Sequence, residues 1–69
     1  MVEIFKTNIT DVIESEHIKS LLLDVFSFSN IHFDLEDCDK ILRIDHPKIN
    51  NDEVIELLKK HDYNCQVIN

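Results

Sequence analysis

Two runs of alternating residues constrain this chain more than anything else in it. Ile31, Phe33 and Leu35 alternate with His32 and Asp34, while Leu42 and Ile44 alternate with Arg43 and Asp45. A period of two places the apolar members on one side of an extended strand and the polar members on the other. Between the runs lies Glu36-Asp37-Cys38-Asp39, an acidic block unsuited to a core and well suited to a turn. Asn30 to Asp45 therefore reads as a β-hairpin with one apolar face, which the rest of the chain must cover.

The flanking segments supply that cover. Val2 to Lys6 reads as a first strand, with Val2 and Ile4 on one face and Glu3 and Phe5 on the other. Asn8, Thr10 and Asp11 carry helix-start chemistry, because their side chains accept the unpaired N–H groups of a first turn. Asp11 with Glu14 three residues on has capping-box spacing, with Thr10 an alternative cap. Ile18, Leu21, Leu22 and Val25 then follow helical spacing, and the turn residues from Ser27 to Asn30 end the helix near Val25 or Phe26.

Pro47 stops the second hairpin strand. A second helix follows, with Asn50 and Glu53 as capping box, Ile49 and Val54 as hydrophobic staple, and Val54, Leu57, Leu58 and His61 as buried stripe. Lys59, Lys60 and His61 suit the negative end of its dipole, and Asp62 stands where glycine is usual. Tyr63 to Ile68 reads as a last strand. The order strand, helix, strand, strand, helix, strand gives an α+β ferredoxin-like βαββαβ sandwich, one domain over residues 1–69. Its four-stranded antiparallel sheet has the order 4-1-3-2, with both helices on one face.

Composition narrows the function. A 69-residue chain with 43% hydrophobic and 30% charged residues folds, but lies near the lower limit for a self-sufficient core, so a dimer interface would help it. A formal net charge of −7 repels phosphate backbones and anionic lipid, so no nucleic-acid or membrane partner is expected. No apolar run reaches the roughly 20 residues of a membrane helix. The N-terminus reads as strand without a basic leader, so a cytoplasmic location is expected. Two cysteines are too few for a disulfide scaffold, and zero glycines exclude Walker A and GxGxxG phosphate loops. Backbone positions with positive φ must then fall to Asn or Asp, or be avoided. No glycine-built oxyanion loop and no Ser/His/Asp constellation is present, so an enzyme is not expected.

At the first loop and helix the chain resembles the heavy-metal-associated domain, the copper-chaperone-like module. That family carries Met-Thr-Cys-x-x-Cys after strand one, with apolar helix residues four and eight positions after the second cysteine. Here Ile9-Thr10-Asp11-Val12-Ile13-Glu14 occupies the window, and Ile18 and Leu22 match the helix spacing. Phe33-Asp34-Leu35 with Leu42-Arg43-Ile44 fits the family's middle strands, Asn51 to His61 its second helix, and Asp62-Tyr63 its usual Gly-Tyr. The resemblance implies the same fold. Asp11 and Glu14 replace both cysteines, and hard carboxylates do not select Cu(I) as thiolates do. The chain thus resembles the family with a degenerate metal-binding motif.

Two candidate sites follow. The topology gathers three loops at one end, bringing Asp11, Glu14, Glu36, Asp37, Asp39 and Asp62 together with Cys38 beside them. A metal ion held by Cys38, Asp11, Glu14, Asp37 and Asp39 is one expectation; a solvated acidic pole of caps and turns is the other. No cofactor is implied beyond such an ion. Cys65 reads as a small core residue, too far from Cys38 to pair. The four histidines share no helical i, i+4 pair and no ligand spacing. His17 and His61 read as partly buried packing residues. On the helix-free face, Phe5, Ile41 and Ile68 are expected to cluster as an interaction surface for a homodimer or protein partner.

Overall fold

The computed structural model describes residues 1–68. Six elements follow in the expected order: β1 (Val2–Thr7), α1 (Val12–Val25), β2 (Asn30–Asp34), β3 (Ile41–Asp45), α2 (Asn51–Lys60) and β4 (Cys65–Val67). The strands form one antiparallel sheet in the order β2-β3-β1-β4. Read from the other edge, this is 4-1-3-2. The chain is a ferredoxin-like βαββαβ sandwich.

Both helices begin on the side chains the sequence supplies. The Asp11 carboxylate accepts from the Ile13 and Glu14 N–H groups at 2.7 and 3.3 Å, capping α1. The Asn50 carbonyl accepts from Asp52 and Glu53 at 3.0 and 3.2 Å, capping α2. α2 ends in a Schellman turn, in which Tyr63 N–H donates to Leu58 O and Asp62 N–H to Lys59 O, both at 3.0 Å. Asp62 takes the left-handed position at φ 66° that glycine usually fills.

One core cluster joins Ile18 and Leu22 of α1, Val54 and Leu58 of α2, and Phe5, Ile31, Leu42 and Ile44 of the sheet. Both helices therefore cover the same face. The strand register lines up Phe33, Leu42, Phe5 and Val67 as one row beneath them. Ile31, Ile44 and Glu3 form the next row. The other face carries His32, Arg43 and Ile4 in one row and Asp34, Ile41, Lys6 and Gln66 in another. Ile68 extends the first of these, since its N–H donates to the Ile4 carbonyl at 2.9 Å.

This register overturns the expected position of Phe5. The residue is 0% exposed, in the core, and Ile4 takes its place on the helix-free face. The alternation in β1 is as expected but its phase is opposite. A strand with apolar residues at both Ile4 and Phe5 does not fix its own phase, and the charge of Glu3 pointed the wrong way. Continuing the strand resolves it, because Phe5, Thr7 and Ile9 all run inward and are all buried.

The absence of glycine is also felt. Positive φ falls on Asp62, as expected of an acidic turn residue, but also on Phe28 (63°) and Lys40 (49°), which was not. Left-handed backbone costs a residue with a Cβ roughly 1–2 kcal/mol. Phe28 is fully exposed in the α1–β2 turn, so its ring returns no packing for that strain. Phe28→Asn should therefore raise stability by about 1 kcal/mol, or roughly 4–8 °C in Tm for a domain of this size. A thermal midpoint that is unchanged or lower would contradict the strain.

Candidate functional site

Three loops meet at one pole, as the topology implied, and buried Thr7 ties two of them together. Its hydroxyl donates to the Lys40 carbonyl at 2.6 Å and accepts from the Ile9 N–H at 3.2 Å. Its own N–H donates to the Asp39 and Lys40 carbonyls at 3.2 Å. The third loop is joined by Asn8, whose side-chain carbonyl accepts from the Asn64 N–H at 2.9 Å. Thr7 was not singled out from the sequence, and Asn8 was expected as helix-start chemistry rather than as a tie between loops. Their only signal was polarity at the point where a central strand leaves the sheet.

The pole's carboxylates fall into two groups. In the β2–β3 turn, one ligand atom from each of Asp37, Cys38 and Asp39 lies within 4.8 Å of the others. Among the described residues this is the one such trio of potential ligands, and Asp11 and Glu14 do not join it. Its carboxylates also have structural work. Asp37 accepts from the Asp39 N–H at 2.8 Å in an Asx turn. Asp39 lies 3.6 Å from the Lys6 ammonium. The Lys40 ammonium turns back to donate to the Leu35 carbonyl at 2.9 Å. The five-residue metal site expected from the sequence is thus divided by geometry into a turn and a helix start.

The helix start faces the Schellman turn of α2. Tyr63 hydrogen-bonds to the Glu14 carboxylate, and this bond, with burial and the charges of Glu14, Asp11 and Asp62, pushes the phenol up to about 12. One turn further along α1, the His17 ring meets the His61 ring edge-on, with centres 5.8 Å apart. Both histidines are exposed, correcting the expectation that they are partly buried packing residues. His61 leaves the α2 stripe because the helix ends there, with its backbone N–H donating to Leu58 and Lys59. His46, at the far pole, lies edge-on to Phe26.

The two cysteines are free and chemically unlike. Cys38 is exposed in the acidic turn. Cys65 pairs with Thr7 beneath the helices, and burial pushes its thiol up to about 12. On the helix-free face, Ile4, Ile41 and Ile68 are half-buried. Around them Lys6 and Arg43 balance Asp34 and Asp45, two charges of each sign, in a chain whose formal net charge is −7. The charge excess therefore lies elsewhere, on the helices and loops. No described helix is long and apolar enough to cross a membrane.

No family model matches the chain, and neither a curated protein nor a solved structure matches it significantly.

The contrast between the thiols sets a test. Only the thiolate reacts with iodoacetamide, and a thiol at about 12 rather than 9.0 carries roughly a thousandfold less of it near neutral pH. Mass spectrometry of the native chain at pH 8 should show one alkylation, at Cys38, with Cys65 reacting only after denaturation. Modification of Cys65 at a comparable rate would contradict its placement.

Proposed function

We propose that this chain is a small non-enzymatic interaction module that self-associates through the helix-free face of its sheet. The observation that carries this reading is the charge distribution. Two copies each bearing −7 repel one another over most orientations. The strand face has no net charge, presents Ile4, Ile41 and Ile68, and carries both signs of charge. A two-fold axis lying in the plane of that face can set Lys6 of one copy against Asp34 of the other.

The fold also resembles the heavy-metal-associated domain, with Asp11 and Glu14 at the cysteine positions. That replacement moves the proposed role away from copper carriage and toward protein contact.

Size limits the strength of the contact. Four strands at ~4.8 Å spacing and five residues of length offer on the order of 300 Å², against about 800 Å² per partner in a standard interface. Association should therefore be weak, with a dissociation constant on the order of 100 µM. Sedimentation up to millimolar protein should show a concentration-dependent dimer, strengthened by salt that screens the −7 charges. Ile4→Glu and Ile41→Glu should each weaken it by at least about tenfold. A monomer throughout that range, or a dimer indifferent to both substitutions, would remove the reading.

A second reading rests on the convergence of Asp37, Cys38 and Asp39 within 4.8 Å. Their mixed thiolate and carboxylate donors would suit a divalent ion in the hairpin turn. Cys38→Ser should then abolish cadmium binding followed by the ultraviolet thiolate-to-metal charge-transfer band. Absence of that band in the wild-type chain would exclude the ion from the turn.

A further inference from the structure

One edge of the sheet carries a docking geometry that neither reading uses. β2 pairs with β3 on one side, and among the described residues no strand covers its other side. An edge strand turns the N–H and C=O groups of alternate residues outward, where another extended chain can take them up. Proteins usually guard such edges with lysine, proline, a bulge or extreme shortness. The opposite edge, β4, is three residues long. β2 runs for five, Asn-Ile-His-Phe-Asp, with neither lysine nor proline.

The surface on both sides of this edge is hollow. Toward the helices lies a groove of about 390 Å³ between α1 and β2. Val12, Glu16 and Lys19 line it from α1, and Phe33, Leu35 and Glu36 from the strand and its continuation. On the helix-free side a second hollow of about 340 Å³ lies against Asn30, His32, Arg43 and Asp45. An added strand sends successive side chains alternately to the two sides of a sheet. The groove and the hollow stand where those two sets of side chains fall.

The two differ in chemistry, and the difference specifies the occupant. The groove has an apolar floor, for Val12 is 66% exposed and Phe33 and Leu35 are half-buried. Its charged lining residues are Glu16, Asp34 and Glu36 against Lys19 alone. Aliphatic stems ending in a positive charge fit this combination, the stem lying on the floor and the head reaching a carboxylate. The helix-free hollow balances Arg43 against Asp45, with Asn30 and His32 beside them, and suits short hydroxyl side chains.

We propose that the β2 edge takes up an extended segment of a partner protein as a fifth strand, one in which lysine or arginine alternates with serine or threonine. The basic residues enter the α1–β2 groove, the hydroxyl residues face the helix-free side, and backbone hydrogen bonds to β2 hold the segment in place. A second copy of this chain is a poor occupant, because pairing edge to edge brings two such acidic grooves together.

NMR titration of the ¹⁵N-labelled chain with acetyl-TKTKTKT-amide tests this, with circular dichroism confirming that each variant folds. Amide shifts should concentrate in residues 30–36 and 12–19 and spare β4, with a dissociation constant on the order of 100 µM. Glu16→Lys and Glu36→Lys should each weaken binding at least about fivefold. Glu56→Lys, an equal change of net charge at an exposed position of α2, should leave it within about twofold. Two further peptides, N-methylated at every lysine or at every threonine, carry the same charge. They should differ in affinity by at least about tenfold, because only one set of N–H groups faces β2. Equal losses in all three charge variants, or equal binding of the two methylated peptides, would mean attraction by net charge alone and overturn the proposal. Shifts centred on β4, or no binding below millimolar peptide, would overturn it as well. So would the same β2 shifts on concentrating the chain without peptide, since they would assign the edge to a second copy.

Discussion

The inward run of Phe5, Thr7 and Ile9 along the central strand is the constraint on which the rest of this structure depends. Phe5 fills the row between Leu42 and Val67 beneath both helices. Thr7, next inward, spends its hydroxyl and its N–H on the hairpin that flanks it. Ile9 closes the core just as the chain leaves the sheet. Because side chains alternate strictly along a strand, fixing this phase fixes the opposite face as well. Ile4 and Lys6 are thereby turned outward, and the helix-free surface takes its composition from them.

The same strand organises the polar end. A buried hydroxyl left without a partner would cost about 1–3 kcal/mol, so Thr7 holds the β2–β3 turn where its carbonyls can accept. Asn8 does the same for the turn after α2 through Asn64. The result brings α1's capped start against the Schellman turn, and with it Glu14 against Tyr63 and His17 against His61. Chemistry-bearing residues that are remote in sequence meet because polar groups in three loops had to be satisfied.

Much of this was legible in the chain. The period-two runs around the hairpin, the two capping residues Asp11 and Asn50, and the breaker Pro47 each act over a few residues, so element order and topology could be read directly. What could not be read was phase and convergence. Ile4 and Phe5 are both apolar, and only the burial of Thr7 and Ile9 beyond them decides between the faces. The acidic pole was visible as a collection of residues, yet its division into Asp37-Cys38-Asp39 and the α1 start depends on loop geometry that spacing does not encode. The histidine pair depends on where α2 ends relative to α1, a tertiary quantity. Positive φ at Phe28 and Lys40 follows from a chain that offers no glycine where its turns need one.

The most direct test is a nuclear Overhauser measurement on the isotope-labelled chain. The Phe5 ring protons should show contacts to methyl groups of Ile18, Leu22 and Leu58, while the Ile4 methyls contact Ile41 and Ile68 and no helix residue. The reverse pattern, with Ile4 beneath the helices and the Phe5 ring beside Ile41, would contradict the account at its root.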